Sequence, residues 1–198
     1  MKRIFSVGVM LALAVFVSNA FAQQTGMDSN SNMKMSGKMN SDAKFMMMAA
    51  TSDMNEIGLS NMALEKSSSD DVKRLAQMMV DDHTKASEEL KMVAMSKNVT
   101  LPTDADAKHK AAMTKLSAMS GAAFDKEYVK MMVKDHEKAV KMFQKEAGGG
   151  KDTDAKAFAA KTLPTLQSHL TMAQSMNGKM TGDKMMNHKM DGKSKDDM

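Results

Sequence analysis

Apolar side chains recur at alternating intervals of three and four along most of this chain, a period that only helices can bury on one side. In a first stretch Phe45, Ala49, Ser52, Glu56, Leu59 and Ala63 share a stripe. In a second, Val72, Ala76, Met79, His83, Ala86, Leu90 and Val93 do so. A third covers residues 122–147, with Phe124, Tyr128, Met132, His136, Ala139 and Phe143 on one face, and stops at Gly148, Gly149 and Gly150. The fourth covers residues 153–176, with Ala159, Leu163, Leu166, Leu170 and Ala173 inward. Pro164 lies inside it, where the missing backbone donor is expected to bend the helix. The sequence holds two Pro, one Tyr and no Trp, and few β-branched residues, which disfavours a β-sandwich or barrel.

The connections decide how these helices are arranged. The first and second are joined by a few residues near Ser67, Ser68 and Ser69, with Asp70 and Asp71 placed where carboxylates favour a helix N-terminus. The third and fourth are joined at the glycine run. Each pair therefore reads as an antiparallel hairpin. Residues 97–121 separate the hairpins and hold the Leu101-Pro102 break and a short helix over residues 105–119. Two hairpins with one long crossover predict an all-α, ferritin-like four-helix bundle over residues 43–176.

The flanks have a different character. Residues 1–22 carry basic Lys2 and Arg3, an apolar run from Ile4 to Val17, and Ala20-Phe21-Ala22. This is the pattern of a cleaved signal peptide, with the cut between Ala22 and Gln23 and a periplasmic or secreted destination. The apolar run is too short to span a bilayer, and no later segment is expected to cross one. Residues 23–42 and 177–198 are rich in Ser, Asn, Gly and Lys and are expected to be disordered tails. A formal charge of +4 is too balanced for a nucleic-acid binder, and zero Cys excludes disulfides, zinc ribbons and thiol chemistry.

Chemistry-bearing residues fall at similar depths along the helices. Residues 78–86 and 131–139 share M-M-V-x-D-H-x-K-A, seven identities in nine, which points to an internal duplication. Glu56, His83 and His136 lie near the middle of the first three helices, and His169 lies in the C-terminal half of the fourth. Antiparallel packing would bring these four together as ligands of a first-row metal, with Asp82 and Asp135 as outer hydrogen-bonding partners or extra ligands. A carboxylate on an apolar seam must be paired or metal-bound. A hydrogen-bonded Glu–His layer without an ion would satisfy the same groups. Di-iron bundles use Glu-x-x-His, whereas Val80, Val133 and Leu166 stand three residues before these histidines, so that motif is absent.

The core resembles the bacterial exported family known as domain of unknown function 4142, whose members are often labelled outer-membrane proteins. The resemblance rests on F-M-M-M-A-A-x-x-x-M-N-E-I-G-L-S-N-M-A-L at residues 45–64 and V-K-R-L-A-Q-M-M-V-D-D-H at 72–83. It continues with L-P at 101–102, F-D-K-E-Y-V-K-M-M-V-K-D-H at 124–136 and L-P-T-L-Q-S-H-L at 163–170. It implies a four-helix fold and an extracytoplasmic location, and brings no established reaction.

Methionine supplies the remaining signal, with 27 in the chain. Those in the helices, such as Met79 and Met132, read as core fillers. Those in the tails have no core to fill: Met33, Met35 and Met39 on one side, and Met180, Met185, Met186, His188 and Met190 on the other. Thioethers and imidazole on flexible chain suit Cu(I), and by the same softness Ag(I), while Fe, Mn or Zn would belong in the bundle core. Sacrificial oxidation is a further use of exposed Met. No catalytic motif stands out. The sequence is thus compatible with a non-enzymatic soft-metal buffer acting under stress, a metal-free envelope-stress interaction module, or a bundle-core redox metalloprotein.

Overall fold

The computed structural model describes residues 40–182. The leader, most of the N-terminal tail and residues 183–198 lie outside the described residues, and with them Met33, Met35, Met39, Met185, Met186, His188 and Met190. Five helices and no strand occur among the described residues: α1 (Ser41–Lys66), α2 (Asp70–Ser96), α3 (Ala107–Ser117), α4 (Gly121–Gly149) and α5 (Thr153–Thr181). None of them is long and apolar enough to cross a membrane.

Short polar side chains set where the helices begin. Asn40, Ser69, Asp106 and Asp152 cap α1, α2, α3 and α5, each accepting a backbone N–H from the first turn. α2 ends where Asn98 takes a left-handed conformation (φ 54°) and the Val99 N–H returns to the Ala94 carbonyl. α4 runs through Gly148 and Gly149 before closing at Gly150, two residues later than the glycine run predicts. Gly150 has a steric reason to lack a side chain. A Cβ there would come within 2.7 Å of the Glu146 carbonyl oxygen and of its carboxylate.

α5 departs from the expected boundary at its other end. It continues past Pro164 and past residue 176 to Thr181. Met172, Met176 and Met180 pack on the apolar cluster there, so burial carries the helix into what composition alone marks as tail.

Within the described residues α1 packs on α2 and α4, and α5 packs on α4 and α2. The first and second stripes are therefore neighbours, and the duplicated segments on α2 and α4 sit across a diagonal. The core divides into two apolar clusters. One gathers Phe45, Phe143 and Phe158, with Phe45 and Phe143 edge to face at 5.0 Å, together with Ala49, Leu90 and Leu166. The other gathers Leu59, Val72, Met79, Phe124, Tyr128 and Met132. On all four long helices the residues between the clusters are polar and buried: Asp53 and Glu56, His83, His136 and His169. α3 covers one side of the bundle, where the absence of a side chain at Gly58 admits Met113.

A second buried polar group closes the end of the α4–α5 hairpin. The Lys151 N–H donates to Asp42 at 3.0 Å and holds that carboxylate below its usual range. Burial and the adjacent Asp42 push the Glu146 carboxyl up to about 7. Because the folded chain favours the protonated form, Glu146 contributes stability that is complete below its unfolded pKa. That contribution is lost as pH rises through about 7. Thermal unfolding between pH 5 and 8 should lose stability more steeply with rising pH in the parent chain than in Glu146→Gln, the difference being this contribution. An unchanged slope in the variant would assign the decline elsewhere.

Candidate metal centre

The helical register brings Glu56, His83, His136 and His169 into one buried layer, one residue from each long helix. All three imidazoles are buried, and one ring nitrogen of each lies within 4.8 Å of the others. Glu56 Oε2 approaches His83 Nε2 at 2.6 Å and His136 Nε2 at 3.5 Å, and His136 Nε2 lies 3.3 Å from His169 Nδ1. These are separations expected between ligands that share one ion, since nitrogen and oxygen ligands sit roughly 2.0–2.2 Å from a first-row metal.

The other nitrogen of each ring is fixed from outside. His83 Nδ1–H donates to Asp53 Oδ1 at 2.8 Å, His136 Nδ1–H to the Met132 carbonyl at 3.0 Å, and His169 Nε2–H to Asp82 Oδ2 at 3.0 Å. Such outer acceptors set the tautomer and aim the second nitrogen inward. Asp53 is held in turn by the Ser87 hydroxyl, and Glu56 Oε1 by the Ser52 hydroxyl at 3.2 Å.

Electrostatics divide the three imidazoles. Burial disfavours a charged His83, but Glu56 and Asp53 outweigh it and lift the ring to about 10. Burial likewise opposes ionisation of Glu56, yet His83 and His136 bring it down to about 2. His136 is lowered, first by burial and then by the neighbouring His83 charge, against the pull of Glu56. His169 falls to about 4, by burial and the nearby His136 and His83, with Asp82 acting in the other direction. His136 and His169 are therefore neutral near pH 7. Their outer bonds leave His136 Nε2 and His169 Nδ1 facing each other at 3.3 Å. Glu56 Oε2 and His83 Nε2 form a close buried ion pair at 2.6 Å. Three imidazole nitrogens and one carboxylate oxygen thus converge, and His83 would have to give up its proton to ligate an ion there. That donor set fits a first-row ion and copper in either oxidation state.

The proposed outer partners separate. Asp82 does bond His169, whereas Asp135 turns to the opposite side and accepts from His109 Nε2 at 3.2 Å and from Lys138 at 2.6 Å. Asp135 is therefore not a partner of the central imidazoles. Its geometry follows the duplication: Asp82 and Asp135 each bridge a histidine outside the repeat and a lysine three residues on. His109 also bonds Asp106, which caps α3 and accepts from Asn55. Met180, counted among the tail ligands, is a side chain of α5 packed on the second apolar cluster. Reading the stripes missed Asp53, which sits one turn before Glu56 on the same face of α1. The i, i+3 spacing of two acidic residues on an apolar stripe was the available signal.

Among solved structures, a fragment of DUF305 from Deinococcus radiodurans is similar, with a TM-score of 0.63 and 14% identity over 70% of this chain and 96% of that one. CopM in the Cu(I)-bound form gives a TM-score of 0.60 at 18% identity, over 70% of this chain and 96% of CopM. CopM in an Ag-bound form gives 0.57 at 19%, with the same coverage. At such identities the likeness is one of fold. No curated protein matches the sequence. The model of a domain of unknown function, DUF4142, matches residues 25–176, and the chain belongs to that family.

Proposed function

We propose that this is an exported, non-enzymatic, ferritin-like metal-binding protein whose core holds one copper ion on His83, His136, His169 and Glu56. The observation that carries this is the convergence of one ring nitrogen from each of three buried imidazoles within 4.8 Å, with Glu56 Oε2 beside His83 and His136. The outer bonds to Met132 and Asp82 engage one nitrogen of His136 and one of His169, and the other nitrogen of each faces the centre. Copper is favoured over Fe, Mn and Zn because divalent affinity for such a nitrogen-rich site peaks at Cu(II), and imidazoles also retain Cu(I). The similarity of fold to copper- and silver-bound CopM supports the same reading. The signal-like residues 1–22 support a periplasmic setting, in which the tail Met and His would capture Cu(I) or Ag(I) under metal stress.

Titration of the full chain with Cu(II) should reveal one tight equivalent that raises the unfolding midpoint, and His136→Gln with His169→Gln should abolish both effects. An unaltered titration in the double variant would remove the core from the reading. Deleting residues 23–39 and 183–198 should leave that equivalent intact while lowering Cu(I) and Ag(I) capacity. Unchanged capacity would assign the tails another role.

Loss of His83 alone tests the energetics of the layer without metal. His83→Ala leaves Asp53 and Glu56 buried together without their shared cation, and should destabilise the metal-free chain by about 3–5 kcal/mol. Chemical denaturation under chelator measures it; a loss of only a few tenths would mean that the carboxylates rehydrate freely.

A further inference from the structure

A cavity of about 450 Å³ opens beside the centre, between α1, the start of α3 and α4. Met47, Met48 and Met142 line it, with Ser52 and Asn55 from α1, and Asp106, His109 and Asp135 on the far wall. We propose that this cleft is a thioether site for a soft monovalent cation, Cu(I) or Ag(I), from which the ion is loaded onto the buried imidazoles. The inference rests on the core reading above for the ion's destination, and on separate residues for the cleft itself.

Three observations lead there. First, these methionines are not fully committed to the interior, although Met142 packs on the edge of the first apolar cluster. Met46, Met79 and Met132 are the fully packed core methionines, whereas Met47 and Met142 are half-buried and Met48 is 47% exposed at the mouth of the cleft. Second, the cleft reaches the centre through one side chain. Ser52, a lining residue, donates to Glu56 Oε1, and the other oxygen of the same carboxylate faces His83 and His136. A single hydrogen bond thus separates the cleft wall from a carboxylate of the centre. Third, the charges around the cleft nearly cancel. Asp135 is paired with Lys138 and His109, and Asp106 with His109 and Asn55, while Lys44 lines the opposite side. A hard divalent ion finds no concentrated negative field there. Thioethers therefore decide selectivity, in favour of soft ions. They carry no proton, so an ion that binds them displaces none, unlike one that binds protonated imidazoles. Transfer from sulfur to nitrogen leaves the ion's charge unchanged and needs no electron donor or acceptor.

The test uses the full chain with methyl-labelled methionine and Ag(I) as a redox-silent probe. Resonances of Met47, Met48 and Met142 should shift at pH 5.5 and pH 7.5 alike, and should still shift when His136→Gln and His169→Gln disable the centre. In the variant Met47→Leu, Met48→Leu, Met142→Leu, whose volumes are conserved, final occupancy of the imidazoles should match the parent. Its loading rate, followed by the histidine resonances, should fall about tenfold, as for the loss of roughly 1.4 kcal/mol along the route. Unmoved methyl resonances would overturn the cleft as a site. Moved methyls with an unchanged loading rate would overturn its role in loading. Moved methyls with histidines that never respond would overturn the centre, and loading with it, while leaving a thioether site in place.

Discussion

Everything in this molecule is arranged around a buried carboxylate. Glu56 is fully buried on α1, and an ion in that position is tolerable only if other groups supply the charge and the hydrogen bonds that water would have given. His83 supplies the nearest positive charge at 2.6 Å, Ser52 a hydroxyl, and His136 a further nitrogen. The links close into a ring that follows the packing order of the helices. Asp53 and Glu56 tie α1 to α2, Glu56 ties α1 to α4, His136 meets His169 between α4 and α5, and Asp82 ties α5 back to α2. A slip of one turn in any long helix would leave at least one of these groups buried without a partner. The apolar clusters on either side, which are permissive about register because Met and Ala dominate much of them, gain a unique alignment from that layer.

Much of this was legible in the sequence. The three-and-four spacing located the four long helices and the inward position of Glu56, His83, His136 and Ala173. Depth along each helix was enough to bring Glu56 and the three histidines to one level. The parts that were not legible depend on contacts between distant segments. His109 lies in the crossover, where no stripe predicts which helix it will face. Asp135 looks like the twin of Asp82 in the repeat, but its helix turns that carboxylate toward α3 instead of α5. Met180 reads as tail because Gly178 and Lys179 beside it have no preference for a core. Only packing against the second apolar cluster reveals that α5 continues.

The duplication also gains a physical sense. Both copies place a histidine inward and, one residue earlier, an aspartate that bridges to another histidine and to a lysine. One copy directs its aspartate to a ligand of the centre. The other directs it to His109, at the wall of the methionine-lined cleft. A single local pattern thus braces the centre on one side and its neighbouring cavity on the other.

The central claim is that the first copper ion binds nitrogen and oxygen in the bundle core. X-ray absorption on the full chain loaded with one equivalent of Cu(II) examines this directly. A core centre predicts a shell of nitrogen and oxygen with the multiple scattering of three imidazoles and no sulfur, lost when His136 and His169 are replaced by Gln. A spectrum dominated by sulfur, or an imidazole signal that survives both replacements, would contradict it.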